Sequence, residues 1–177
     1  MSTPIKGLLI LVNGFEDCEA IVTRAMIQKN GFKIIMSTNN KSLEVLSAQR
    51  LLVKADLTWE KIIYEEYSFL IIPGGSYVYQ ILQYKNDELI QILKIIKFFS
   101  DQKKVIGAIC AAPAFLGKLN LLHNHRFTCF PGYEKHIQGY FVPDARAITS
   151  DNFVTSRSPE TVFDFVSHLL CKLTTKS

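Results

Sequence analysis

Four short, almost wholly apolar runs recur along the chain, at residues 5–12, 33–37, 69–72 and 105–109, with segments of helical period between them. A strand with one wet face alternates apolar and polar residues. A strand covered on both faces stays apolar throughout, as in a parallel sheet flanked by helices. The intervening segments supply such helices, at residues 17–29 and 87–99, with a short one from Ala111. Asn86 before Asp87-Glu88 reads as a cap followed by an acidic first turn. Ser158-Pro159-Glu160 reads as cap, first-turn proline and acid, opening a helix that runs to about Lys172. Residues 126–155 are more β-like, and residues 147–149 and 153–155 flank Ser150-Asp151-Asn152 as a hairpin. The pattern predicts an α/β fold, a doubly wound, flavodoxin-like three-layer sandwich with a mostly parallel central sheet. Without repeat, linker or low-complexity tract, residues 1–177 are expected to form one domain.

Charge narrows the partners. The net charge of +4 comes from lysines and arginines scattered among acids. No basic run or patch marks a nucleic-acid or membrane surface, so neither partner is expected. Residues 7–12 are long enough for a strand but too short for a signal peptide or a membrane span. Cys18, Cys110, Cys129 and Cys171 show no CxxC spacing and complete no ligand set with the four histidines. The expectation is a cytoplasmic chain with reduced thiols and no bound metal.

Chemistry concentrates where apolar runs end. In Val105-Ile106-Gly107-Ala108-Ile109-Cys110-Ala111-Ala112-Pro113 a strand stops at a cysteine, small residues follow and a helix starts. That is the layout of a nucleophile elbow. A helix amino terminus beneath the thiol offers amide donors and a partial positive charge, both favouring thiolate. An inert buried cysteine fits the same segment equally well. Ile71-Ile72-Pro73-Gly74-Gly75 is a strand and a tight turn whose amides could approach a ligand. Asn13-Gly14-Phe15-Glu16-Asp17-Cys18-Glu19 is again a strand, a glycine turn and an acidic helix start. Glu16 and Asp17 are read there as complements of the helix dipole.

Taken in order, GFEDCEA, LIIPGG, AICAAP and TSRSPET resemble the DJ-1/ThiJ/PfpI superfamily, specifically its DJ-1-like branch, over nearly the whole chain. The resemblance implies a homodimer and assigns Cys110 as the reactive cysteine. It makes Glu19 the protonated glutamate bonded to that sulfur, and places backbone donors at Gly74, Gly75 and Ala111. It implies no cofactor. Departures are informative. The animal branch has a histidine before a proline near the cysteine, where this chain has Phe130 before Pro131. Its late GPG loop is Ser158-Pro159-Glu160 here, and its extra carboxy-terminal helix is expected to be missing. Ala111 stands where the protease-like branch has histidine, and no H-x-E pair occurs, so protease and glutamine amidotransferase readings both lose their base. Two functions follow from the resemblance. One is a cofactor-free glyoxalase or deglycase acting on small α-oxoaldehydes such as methylglyoxal through Cys110 and Glu19. The other is a non-enzymatic oxidative-stress sensor or chaperone whose Cys110 is oxidised by peroxide to sulfinate.

Overall fold

The computed structural model describes residues 5–84 and 86–175. β1 (Lys6–Leu11) leads into α1 (Asp17–Lys29) and β2 (Lys33–Thr38). A small antiparallel hairpin, β3 (Glu44–Leu46) with β4 (Leu52–Lys54), precedes the edge strand β5 (Leu57–Thr58). Then come β6 (Phe69–Ile72), α2 (Ser76–Gln83), α3 (Asp87–Asp101), β7 (Val105–Ile109) and α4 (Pro113–Lys118). A parallel pair, β8 (Arg126–Phe127) and β9 (Tyr140–Phe141), is followed by β10 (Ala147–Ser150), β11 (Phe153–Ser156) and α5 (Val162–Thr174).

Seven strands form the central sheet in the order β10-β11-β7-β6-β1-β2-β5, and only β10 runs antiparallel to its neighbour. α1 and α5 pack together on one face, with α2, α3 and α4 on the other. Every residue of β6 and β7 is therefore buried, as is every residue of β1 after Lys6. This is the three-layer arrangement the unbroken apolar runs require. Gly107 shows how closely the layers fit. A Cβ there would stand 2.8 Å from Leu169 and 2.9 Å from Phe165, both on α5.

The structure moves several boundaries. α3 continues to Asp101, with Asn86 Oδ1 accepting the Leu89 amide at 2.9 Å. The helix expected from Ala111 begins at Pro113, with proline at its first position. Ser158 caps a 3₁₀ turn over Pro159–Thr161, and α5 starts only after it. α2 is an element that sequence reading passed over. It has eight residues, and its cap position is Gly75, which has no side chain to signal a start.

Consecutive parallel strands place their carboxyl ends on one edge. From β1 the chain crosses to β2 on one side and later to β6 and β7 on the other. The crevice at that reversal, outside the carboxyl ends of β1, β6 and β7, is where open α/β sheets hold ligands. The segments around Glu19, Gly74 and Cys110 meet there.

Candidate active site

Cys110 follows directly on β7 with φ at +64°, in the left-handed region. A non-glycine residue held this way carries about 1–3 kcal/mol of strain and persists only where neighbours fix it. Two do. The Cys110 amide donates to Ser156 O at 2.9 Å, and the Cys110 carbonyl accepts the Phe130 amide at 2.8 Å. β11 and the loop before Pro131 thus clamp the turn from either side.

Glu19 arrives from α1. Glu16 caps that helix, its Oε2 accepting the Glu19 amide at 2.8 Å, which fixes the start of the turn carrying Glu19. The Glu19 side chain is fully buried, and its Oε2 accepts the Gly74 amide at 2.6 Å. Its other oxygen, Oε1, is buried without a hydrogen-bond partner among the described residues, and the Cys110 thiol is the neighbour to which the carboxyl group is electrostatically coupled. Gly74 is small for reasons of space rather than torsion. A Cβ there would lie 2.7 Å from the Cys110 Cβ and 2.9 Å from Glu19 Oε2. Gly75 is a torsional requirement, with φ at +128° where its backbone crosses Gly14–Glu16.

The predicted donors therefore divide. The Ala111 amide reaches the Cys110 sulfur. The Gly74 amide is taken by Glu19, so it orients the carboxyl group instead of facing a reacting oxygen.

Burial raises the Glu19 carboxyl to about 8, and the nearby Glu16 charge adds to this against the Gly74 hydrogen bond and the Cys110 thiol. Burial also drives the Cys110 thiol far above its usual range, and the Glu19 carboxylate pushes the same way. Burial thus outweighs the helix terminus that the sequence reads as favouring thiolate. The single Ala111 hydrogen bond and the helix terminus do not offset removal of the sulfur from water. In a site this dry, thiolate and carboxylate cannot coexist, so the pair holds at most one negative charge, gained as the pH rises through about 8. Alkylation of Cys110 by iodoacetamide should accordingly rise with pH and level off above about 8. In Glu19→Gln it should keep rising, because no carboxylate opposes the thiolate. Identical pH profiles for the two proteins would show that Glu19 and Cys110 are not coupled.

The other acids and cysteines sort themselves around this pair. Asp17 accepts Ser47 Oγ at 2.6 Å and the Gln49 amide at 3.1 Å, so it ties α1 to the loop between β3 and β4. Cys18 is exposed, and the Glu16 charge pushes its thiol up. Cys129 is fully buried and pushed up to about 12, mainly by that burial. Glu160, at the divergent late loop, stays anionic through the Ser158 hydroxyl and its own amide, and adds negative potential at Glu19 and Cys18.

Two tyrosines join the site unforeseen. Tyr77, on α2, donates to Pro73 O at 2.6 Å and supports the glycine turn from beneath. Tyr133 lies in the Phe130-Pro131-Gly132-Tyr133 turn, closed by its amide on Phe130 O at 3.1 Å with Gly132 at φ +94°. Its ring meets Phe130 edge-on at 6.4 Å. Burial raises its phenol, and the Cys110 sulfur and Tyr79 add to that. The Pro-Gly pair is a type II turn signal, and reading it as one would have brought Tyr133 back toward the cysteine. His125, nearest in sequence to the missing histidine, is elsewhere. It bonds Ser150 Oγ at 3.0 Å and stacks edge-on with Phe153. Phe153 pairs with Ile106, four residues before Cys110, which puts His125 about 13 Å back along the strand.

Among the described residues no group of three or more His, Cys, Asp or Glu is placed to hold a metal ion, and no helix is long and apolar enough to cross a membrane. The sequence matches the DJ-1/PfpI family over residues 6–172. A protein named a deglycase from Pyrococcus horikoshii is 27% identical over 161 residues, covering 90% of this chain and 93% of that one. A DJ-1 superfamily protein from Salmonella typhimurium, solved as a cysteine-to-alanine mutant, superposes with a TM-score of 0.85 at 24% identity, over 97% of this chain and 91% of the other. Toxoplasma gondii DJ-1, solved oxidised, gives a TM-score of 0.84 at 23% identity, over 96% and 90%.

Proposed function

This chain belongs to the DJ-1/PfpI family, and we propose that it is a cofactor-free glyoxalase or deglycase acting on small α-oxoaldehydes at Cys110. One observation carries the reading. Glu19, buried between the Gly74 amide and the Cys110 thiol, is raised to about 8. A general base works best when its pKa lies near the working pH, and a thiol that rests protonated needs such a base. The relative named a deglycase gives the same direction.

In this mechanism the sulfur adds to the aldehyde carbon of methylglyoxal as Glu19 takes the thiol proton. The proton passes to the aldehyde oxygen, leaving a hemithioacetal. Glu19 then removes the hydrogen from the former aldehyde carbon and returns it to the adjacent carbonyl carbon, while the hemithioacetal hydroxyl gives up its proton and the oxygen on the adjacent carbon gains one. The product is a thioester of lactate on Cys110. Water releases lactate and restores the thiol, so the net change is methylglyoxal plus water to lactate, with no external oxidant or reductant.

The alternative, a peroxide-sensing thiol, requires thiolate at rest. The raised Cys110 thiol weighs against it, while the Ala111 amide on the sulfur favours it, because the same donor would hold a sulfinate oxygen. Purified protein incubated with methylglyoxal separates the two. Lactate that forms in the wild type and falls to background in Cys110→Ser supports the enzyme. No lactate, with mild peroxide adding two oxygens to the Cys110 peptide ahead of the other cysteines, supports the sensor.

A further inference from the structure

A cavity of about 250 Å³ lies off the carboxyl ends of β1 and β2, beside α2. Val12 in its wall follows β1 directly, and Tyr77 and Ile81 come from α2, which follows β6. The cavity thus stands where the strand order reverses, the place at which open α/β sheets take ligands. Cys110 and Glu19 are not in its wall. Tyr77 lies between the two places. It lines the cavity, while its hydroxyl is spent on Pro73 O at 2.6 Å.

Three carboxamides in the wall have their orientation fixed by the fold. Asn40 Nδ2 spends both hydrogens, on Asn13 Oδ1 at 2.9 Å and on Glu44 O at 2.7 Å. Asn13 Oδ1 spends its second lone pair on the Leu46 amide at 3.0 Å. Asn86 Oδ1 caps α3 through the Leu89 amide at 2.9 Å. The ends without a protein partner are one acceptor, Asn40 Oδ1, and two donors, Asn13 Nδ2 and Asn86 Nδ2. Asn13 is exposed and the other two are half-buried, and none of these three atoms is among the polar groups that the fold seals from solvent. Amides pinned in this way are set before any ligand arrives, which lowers the cost of binding one that both donates and accepts.

The rest of the wall narrows the ligand. Among the described residues no Lys or Arg contributes to it. Its one acid, Glu88, already accepts Asn39 Nδ2 at 2.6 Å and also borders the neighbouring cavity. An anion therefore finds no counter-charge. Val12, Tyr77 and Ile81 supply a buried apolar floor, and Tyr84 stands at the rim, 71% exposed. Pockets for drug-sized ligands start at about 300 Å³, so this one suits a single ring. A hydroxyl group donates and accepts at one atom. A ring with adjacent hydroxyls and apolar C–H faces meets both kinds of wall at once.

We propose that this cavity binds an uncharged monosaccharide ring, with its hydroxyls on Asn13, Asn40 and Asn86 and a C–H face on Tyr84. The site is independent of the chemistry at the cysteine.

Methyl glycosides are the probes, because their rings cannot open to a reactive carbonyl and a reaction at Cys110 cannot imitate binding. Methyl α-D-glucopyranoside, methyl β-D-galactopyranoside and methyl β-D-ribofuranoside are titrated into the full-length protein by calorimetry, with saturation-transfer NMR as a second readout. Uracil and ethylammonium are the controls for a flat ring and for a cation. The expected result is saturable binding of at least one glycoside in the millimolar range, which about a dozen heavy atoms allow. Asn86→Asp keeps the oxygen that caps α3 and replaces the free donor with a second oxygen. The fold should survive it while affinity falls about tenfold. Tyr84→Ala, at an exposed position, should weaken binding at least about threefold by removing the rim surface. Four results overturn the proposal. These are no saturable binding of any glycoside, uracil or ethylammonium binding as tightly as the best glycoside, full affinity in Asn86→Asp, and full affinity in Tyr84→Ala.

Discussion

Glu19→Gln is expected to slow lactate formation from methylglyoxal by about 100- to 10,000-fold, the usual consequence of losing one acid–base group. Glutamine keeps a side chain of the same length, and its oxygen can still accept the Gly74 amide that now meets Glu19 Oε2 at 2.6 Å. The turn between Gly74 and Cys110 therefore stays closed, and the loss falls on proton transfer rather than on folding. Glu19→Asp tests the other half of the role. It keeps the charge but withdraws it by one methylene, away from both the amide and the sulfur. If the protonated side chain serves as a donor to an oxidised sulfur, sulfinate should form on Cys110 more readily in the glutamine variant than in the aspartate variant. The reverse order would show that negative charge is what the position supplies.

The same substitution has a thermodynamic signature. A carboxyl group raised from its ordinary 4.5 to about 8 in the fold keeps its proton in the native state after the unfolded chain has lost it. Over that interval the native state binds more protons than the unfolded one, so stability falls as pH rises. The contribution is fully present below about 4.5 and lost by the time the pH has passed about 8. Glu19→Gln carries no titrating group, so its melting temperature should decline less than that of the wild type between pH 5 and 8. Parallel melting curves for the two proteins across that range would mean that Glu19 is ionised in the fold at neutral pH.

Legibility in the sequence followed physical locality. Phe69–Ile72 and Val105–Ile109 are strands with the bounds that their apolar runs imply, because a strand covered by helices on both faces favours apolar residues throughout. α1 spans Asp17–Lys29 as its acidic start and helical period imply. The pairing of Cys110 with Glu19 came from a resemblance of motifs rather than from periodicity. The geometry that joins them depends on Gly74 lacking a side chain between them. What stayed hidden depends on tertiary context. α2 begins at a glycine without a side-chain cap, and β5 is only two residues long, so neither makes a local pattern. The raised Cys110 thiol is not legible in the sequence for a similar reason. A helix terminus can be read from sequence, but the burial that overrides it is visible only once β7, α1 and the Gly74 turn are assembled.

Phe130→His is expected to raise lactate formation by about 100-fold, the lower end of what one well-placed acid–base group supplies. The position suits the change. The Phe130 amide, not its ring, anchors the turn to the Cys110 carbonyl, and the ring is 42% exposed, resting on Tyr133. Replacing it removes little buried surface and leaves the clamp on the cysteine in place. Imidazole, unlike a phenyl ring, gains and loses a proton near neutral pH, so it could share steps that now fall to Glu19 alone. Tyr133 does not already fill that role. Its raised phenol stays protonated at neutral pH, so it can donate a proton to a forming alkoxide but cannot accept one. Direct peroxide oxidation of Cys110 has no such step, and its rate should barely change in the same variant. A rise in turnover at a constant peroxide rate would locate the deficit in proton transfer. If the wild type already turns over methylglyoxal briskly and Phe130→His gains nothing, the deficit does not exist. Tyr133→Phe then becomes the decisive substitution, because Tyr133 is the remaining proton-bearing side chain on the turn that clamps the cysteine.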